Sequence, residues 1–331
     1  MSKKKRMIGG AVVDVKQREN GMKMGDSNDK IVIGLCTFNR YEPLKEAMDC
    51  LLQIDVPERT DVEFVLVDND KNAGAKYIFD AYAPDMPFQC HYFVEINRGL
   101  AHVRNRVIDE ALKLRATAIA MFDDDEIVVQ EWLVELYKVF KTLKIDGVAG
   151  TVYRLLPPDT PSLIKKLWFN RKEPANVPIK LLPTNNCLFS IDLVKPEGKN
   201  IRFNNIFNFS GREDLIFSFD ALLQGAIFMS APNAIVIEKF PKERSTFKYL
   251  LKRWFETGIS DVMVAKHYSF DKKRRTLKEM LNLLWKCLTL PFLVLGGLKP
   301  PAYAILRIAA SLGWLCGLFG KQTNYYFKHI D

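Results

Sequence analysis

Short apolar runs that alternate with amphipathic stretches limit what this 331-residue chain can fold into more than any other feature. Ile31 to Thr37 (IVIGLCT) is apolar, ends in Phe38-Asn39-Arg40, and gives way to a helical pattern from Pro43 to Leu52. Glu63 to Val67 (EFVLV) ends in Asp68-Asn69-Asp70 and is followed by a helical pattern through Tyr82. His91 to Ile96 ends in Asn97-Arg98-Gly99 before a helix from Leu100 to Leu114, and Thr117 to Phe122 ends in Asp123-Asp124-Asp125. Continuous apolar strands separated by helices predict a mostly parallel sheet, buried on both faces. Ligands of such sheets sit beyond the carboxyl ends of the strands, which is where the polar clusters fall.

Beyond residue 150 the pattern loosens. Strands are expected at Gly147–Val152, Cys187–Ile191 and Ala234–Ile237, a helix at Glu213–Leu223, and a Pro-rich loop from Leu155 to Pro183 with a helix near Ile164–Trp168. Between Lys239 and Lys278 there are 12 Lys or Arg against 4 Asp or Glu, so this stretch forms a basic amphipathic region. Two apolar runs follow, Leu281–Leu298 and Ala302–Phe319, each near the lower length limit for a spanning helix and each carrying a cation. They predict a helical hairpin lying in or re-entering a bilayer interface, with true spans, or a soluble pair packed on the core or a second subunit, as the alternatives. The chain thus divides into a polar basic tail (1–30), an α/β catalytic domain (31–240), the basic region (241–278) and the apolar hairpin (279–331). No apolar stretch of signal-peptide length follows the opening lysines, and six scattered cysteines without a C-x-x-C pair suit reduced thiols of a cytosolic protein. The net charge of +9 favours anionic partners.

Asp123-Asp124-Asp125 carries the chemistry. In extended backbone Asp123 and Asp125 project to one side and Asp124 to the other. Adjacent carboxylates at a sheet edge repel unless a cation neutralises them, and Mg²⁺ or Mn²⁺ suits an all-oxygen site completed by substrate phosphates. A solvated acidic turn, with Glu126 capping the next helix, is the plainer alternative.

The succession CTFNR, VDND, NRGLAHVRN, FDDDE and, about 90 residues on, GRED resembles a family 2 glycosyltransferase of the GT-A fold, a Rossmann-like α/β architecture. VPER and the later E-K-x-P-x-x-R add a resemblance to bacterial exopolysaccharide enzymes of the succinoglycan-biosynthesis type. The likeness runs from about Ile31 to about Gly258. It implies that Asp125, with Asp123, binds the metal bridging a nucleotide-diphosphate sugar, and that Asp123 or Asp124 lies near the ribose and sugar. Thr37, Asn39 and Arg40 would wrap the nucleotide, and Arg104 and Asn105 would face the donor pocket, a helix-face ion pair being the alternative. The family's acid after the second strand contacts the base. Here Asn69 replaces the usual second acid, leaving Asp68 and Asp70 as candidates. Asn186 is expected near the donor sugar, a plain turn being the alternative, Arg253 over the pyrophosphate, and Glu213 and Trp254 at the acceptor.

Asp214 matches the family's general base. Transfer to an alcohol needs a group that takes the hydroxyl proton as oxygen attacks the anomeric carbon, and a carboxylate opposite the leaving diphosphate gives inversion. A helix N-terminal Glu-Asp pair is compatible with the same residues. Leu250-Leu251-Lys252-Arg253-Trp254 has the Arg-Trp of processive synthases without their Gln, which favours one sugar per encounter. The expected acceptor is a lipid-linked oligosaccharide or lipopolysaccharide at the cytoplasmic face of the membrane. A sugar nucleotidyltransferase would need a glycine-rich phosphate loop that the first strand lacks. A nucleic-acid-binding protein or a silent membrane scaffold fits the apolar tail or the acids less well, and no nucleic-acid partner is expected.

Overall fold

The computed structural model describes residues 29–168, 174–268, 272–296 and 301–321. The basic opening segment and the residues 297–300 linking the two apolar runs lie outside these. Chain order is β1 (Asp29–Thr37), α1 (Tyr41–Leu51), β2 (Thr60–Asp68), α2 (Lys76–Tyr82), β3 (Gln89–Val94), α3 (Leu100–Lys113), β4 (Ala118–Phe122), β5 (Glu126–Val128), α4 (Trp132–Leu143), β6 (Gly147–Leu155) and α5 (Ser162–Leu167). After these come β7 (Pro178–Ile179), β8 (Asn186–Ser190), α6 (Glu213–Leu223), β9 (Phe228–Lys239), α7 (Phe247–His267), α8 (Lys272–Gly296) and α9 (Pro301–Leu318).

One sheet of order β3-β2-β1-β4-β8-β6-β9-β5, with β7 on β9, takes in the described strands. Its half β3-β2-β1-β4 is parallel throughout, as the alternating pattern predicts. β8 inserts antiparallel between β4 and β6, and β5 and β7 are antiparallel on β9, so the sheet is mixed beyond β4. Along β1 the side chains alternate faces. Ile31, Ile33 and Leu35 pack with Leu44, Met48, Ile78, Trp132 and Leu136 from α1, α2 and α4. Val32 packs with Val103, Val107, Phe189 and Phe217 on the α3 and α6 side.

β3 ends two residues before the expected Ile96. The Asn69 side chain donates to the carbonyls of Glu95 (2.7 Å) and Asn97 (2.8 Å), and its Oδ1 accepts from the Gly99 amide at 2.9 Å, pulling the chain out of the ladder. Gly99 then turns with φ +134°, where an added Cβ would lie 2.5 Å from the Asn208 side chain. That side chain is in place to accept from the Ala101 and His102 amides, capping α3 from a distant loop.

The two apolar runs do form helices, but they are not equivalent. α9 is packed on α7, with Trp314 2% exposed among Val262 and Ala265. Small residues permit the approach: a Cβ on Gly258 would lie 2.0 Å from the Ala310 carbonyl, and one on Gly313 1.9 Å from that of Phe255. α8 begins at Lys272, so it crosses the expected division at 278/279. No described helix is long and apolar enough to cross a membrane.

Candidate active site

The parallel register brings the loop ends to one edge. Thr37 pairs with Asp68, Asp68 with Val94, and β4 stops one residue short of Asp123. Thr37 Oγ1 donates to Asp124 Oδ2 at 2.8 Å, tying the loop after β1 to the acidic tip. Arg40 Nη1 stands 3.0 Å from Asp124 Oδ1 and 2.9 Å from Asp125 Oδ2. The tip is therefore already partly neutralised by protein. Burial pushes the Asp124 carboxyl up to about 7 against the pull of Arg40, and burial likewise raises Asp123. Burial opposes the charge on Arg40, but the three carboxylates around it still hold its proton more firmly than usual.

Asp214 lies in the first turn of α6, on the same side as the tip, where its charge adds to the raising of Asp123. Arg104, 5% exposed, links the two segments: its Nη1 donates to Glu213 Oε1 at 2.6 Å while Nη2 reaches Asp123 Oδ1 at 3.5 Å. Burial raises Glu213 to about 7 and raises Asp214, with Arg104 opposing in both cases. Asp214 Oδ1 accepts from the Leu215 amide at 2.6 Å. Glu213 Oε2 is buried with no hydrogen-bond partner among the described residues.

Asp68 and Asp70 separate clearly. Asp68 is fully buried, and its oxygens accept from the Asp70 amide (2.8 Å), the Ala75 amide (2.9 Å) and the Tyr92 hydroxyl (2.7 Å). Asp70 is half-buried beside it and receives the Asn72 amide. Asn39 is exposed at the loop tip with φ +52°, and Arg98 stacks 3.6 Å over the Phe38 ring on the same edge.

Three expected residues are occupied elsewhere. Asn186 is fully buried: its Oδ1 accepts from Trp132 Nε1 at 2.8 Å, and its Nδ2 donates to the carbonyls of Thr151 and Ala234, so it clamps β8, β6, β9 and α4 rather than facing a sugar. Asn105 exchanges two hydrogen bonds with the Phe203 backbone, fastening α3 to the loop before α6. Trp254 packs with Ile164, Leu250 and Leu306 and edge-on to Tyr303, a contact of α7 with α9. Arg253 lies 5.7 Å from the Trp168 ring and lines, with Arg212 and Thr257, a cleft of about 90 Å³ beside the start of α6. Arg212 itself bonds Asp261 of α7 at 2.6 Å.

Glu126, a helix cap in the plainer alternative, opens β5 and braces the acidic tip instead. It is buried, its Oε2 accepts from the Asp123 amide at 3.1 Å and its Oε1 from Asn185 at 2.9 Å, and burial raises it well above the ordinary value. Its place directly after the acidic triplet was the available signal.

Among the described residues no three His, Cys, Asp or Glu side chains are grouped to hold a metal alone. The half-exposed carboxylates of Asp123 and Asp125 nonetheless suit a hard divalent cation whose remaining ligands are phosphate oxygens and water.

The pattern described as Glycosyl transferase family 2 matches residues 32–189. The chain is 30% identical to the succinoglycan biosynthesis protein ExoM of Rhizobium meliloti (strain 1021) over 230 residues, 69% of this chain and 72% of that one. A mannosyltransferase of Pyrobaculum calidifontis, solved with GDP-Man and Mn²⁺, superposes with TM-score 0.56 at 16% identity, over 88% of each chain. S. aureus TarS 1-349 with UDP-GlcNAc gives 0.50 at 15% identity, over 88% of this chain and 92% of that one. The chain covers 54% of the longer TarS structure.

Proposed function

The chain belongs to glycosyltransferase family 2, with the GT-A fold, and from that premise we propose that it moves one sugar from a nucleotide diphosphate to a membrane-held glycan in exopolysaccharide or lipopolysaccharide synthesis, with inversion. The observation that carries the reading is one buried guanidinium, Arg104, bonded both to Asp123 of the acidic tip and to Glu213, the neighbour of Asp214 in the first turn of α6. Donor binding and proton removal then share a single site. The relatives support it: the curated one is a succinoglycan biosynthesis protein, and two of similar fold were solved with sugar nucleotides.

In this reading Asp214 accepts the acceptor hydroxyl's proton as that oxygen bonds to the anomeric carbon. The bond from carbon to the diphosphate oxygen breaks, and the diphosphate leaves with the electron pair. Asp125 and Asp123 would hold Mn²⁺ or Mg²⁺, which when bound supplies positive charge to the departing diphosphate. Thr37 fixes Asp124, Arg40 balances the tip until donor arrives, and Asn39 and Asp70 line the nucleotide end. Glu213, through Arg104, positions the base beside the acceptor, and Arg253 borders the cleft next to it. Residues 31–240 form the catalytic domain, followed by the basic region and the helical extension, working at the cytoplasmic membrane face.

The test incubates purified protein with labelled nucleotide-diphosphate sugars and Mn²⁺, with and without chelator, and reads the anomeric configuration of the product. Metal-dependent transfer with inversion is expected. Transfer that chelator leaves intact removes the metal role of Asp125, and a product with retained configuration removes Asp214 as base in a single displacement.

A further inference from the structure

Sequence periodicity treats the two terminal apolar runs alike, but the fold separates them. α9 is consumed by α7, while hydrogen bonds to α9 leave from one face of α8: among the described residues Thr276 Oγ1 accepts from Trp314 Nε1 at 3.3 Å and Glu279 Oε2 from Ser311 at 3.0 Å. About 100° around the helix from Thr276 runs a second face, Leu277, Leu281, Leu284 and Leu288, flanked by Trp285. These five are 58, 56, 59, 67 and 68% exposed respectively, Trp285 being the last. Such a stripe is out of place on a surface in water.

The charges around it indicate what covers it. The sequence puts Lys272, Lys273, Arg274, Arg275 and Lys278 at the amino end of α8, and its one acid before Leu288 is Glu279, which faces α9. A row of leucines with an aromatic beside it and cations at one end complements an anionic lipid surface, since each signal alone binds bilayers weakly and together they bind stably. The geometry points to α8 as an interfacial helix that docks the enzyme on an anionic bilayer by this stripe, with α9 as its rigid mount. The mount reaches the site: α9 packs on α7, and Asp261 of α7 holds Arg212 at the threshold of α6 and Asp214. This inference rests on the reading of a membrane-held acceptor and says which surface meets that membrane.

The full chain is sedimented with vesicles of phosphatidylcholine alone and of equimolar phosphatidylcholine and phosphatidylglycerol. It should pellet with the anionic vesicles and bind the neutral ones far less. The double variant Arg274→Gln with Lys278→Gln should lose about 25-fold in affinity for anionic vesicles, at about fivefold per cation. Leu281→Ser with Leu288→Ser should abolish pelleting while leaving the melting temperature unchanged. The proposal is overturned if the chain stays in the supernatant with both vesicles, if neutral vesicles bind it equally, or if the variants bind like the parent. A concentration-dependent dimer that Leu281→Ser with Leu288→Ser dissociates, with no vesicle binding, assigns the stripe to a second copy instead. Sugar transfer to a water-soluble acceptor separates the two levels. If transfer persists while vesicle binding fails, only α8's role falls; if vesicle binding persists without any donor turnover, the catalytic reading falls and the surface stands.

Discussion

Arg104 Nη1 donates to Glu213 Oε1 at 2.6 Å inside the protein, the two side chains 6 and 4% exposed. Arg104, read from sequence as facing the donor pocket or as a helix-face ion pair, joins the helix that carries Asp214 to the acidic tip through Glu213 and Asp123. Arg104→Met should destabilise the fold by about 3–5 kcal/mol, because it strands a buried carboxylate. Arg104→Met with Glu213→Gln should recover much of that loss. Arg104 also opposes the rise of the Asp214 pKa, so in the single variant the acid limb of kcat/KM should move to higher pH. A pH profile identical to the parent's would deny Arg104 its influence on the base.

Glu213 gives a pH dependence of stability. Its carboxyl titrates near 7 in the folded protein, raised by burial from an ordinary 4.5. The folded state therefore holds the proton more tightly, and the group's stabilising contribution is complete below pH 4.5 and lost as pH rises through about 7. Glu213→Gln keeps an acceptor for Arg104 and carries no proton to lose. Thermal unfolding should show the variant gaining on the parent by an amount on the order of 1–3 kcal/mol across that window. A constant difference between the two curves would contradict the buried, raised carboxyl.

Asp214→Asn tests the base directly. Asparagine fills the same volume and cannot take the proton, so kcat should fall about 10²–10⁴-fold. Donor affinity by calorimetry should hold, since the group is assigned to the acceptor's proton. A variant that retains full turnover would move the base elsewhere.

Gly313→Leu tests the mount of α9. The new side chain would start 1.9 Å from the Phe255 carbonyl, a backbone atom that cannot turn aside. The cost should be at least about 1–3 kcal/mol. Trp314, 2% exposed in the parent, should become quenchable by iodide while donor binding to the sheet edge persists.

The parts that were readable from sequence are those set by local pattern. β1 and β4 announce themselves as continuous apolar runs, and α6 begins and ends where its Glu-Asp start and apolar repeat put it. β8 is five residues with no sign of strand direction, so its antiparallel insertion depends on partners far along the chain. Asn186 looks like a turn residue, yet its partners Trp132, Thr151 and Ala234 lie 35 to 54 positions away. α9 is ambiguous for a different reason: a helix apolar but for Arg307 and Ser311, with Ala309, Gly313 and Gly317 one turn apart, has the same composition whether lipid or protein covers it.

Asp68 and Asp70, left joined by the sequence, differ in burial and hydrogen-bond partners. The Asp68 carboxylate spends its oxygens on two amides and the Tyr92 hydroxyl, so it holds the turn after β2 and has little left for a ligand. Asp68→Asn turns an amide nitrogen toward donors that need an acceptor, which should cost about 1–3 kcal/mol of stability. Asp70 accepts one amide at the rim, and in the proposed reading its carboxylate contacts the base of the donor nucleotide. Asp70→Asn should leave the melting temperature in place and weaken nucleotide-diphosphate binding about tenfold, as loss of a hydrogen bond to a charged group does. Titrating UDP and GDP into both variants and following their unfolding separates the assignments. Donor affinity lost in Asp68→Asn at unchanged stability, with Asp70→Asn binding like the parent, would reverse them.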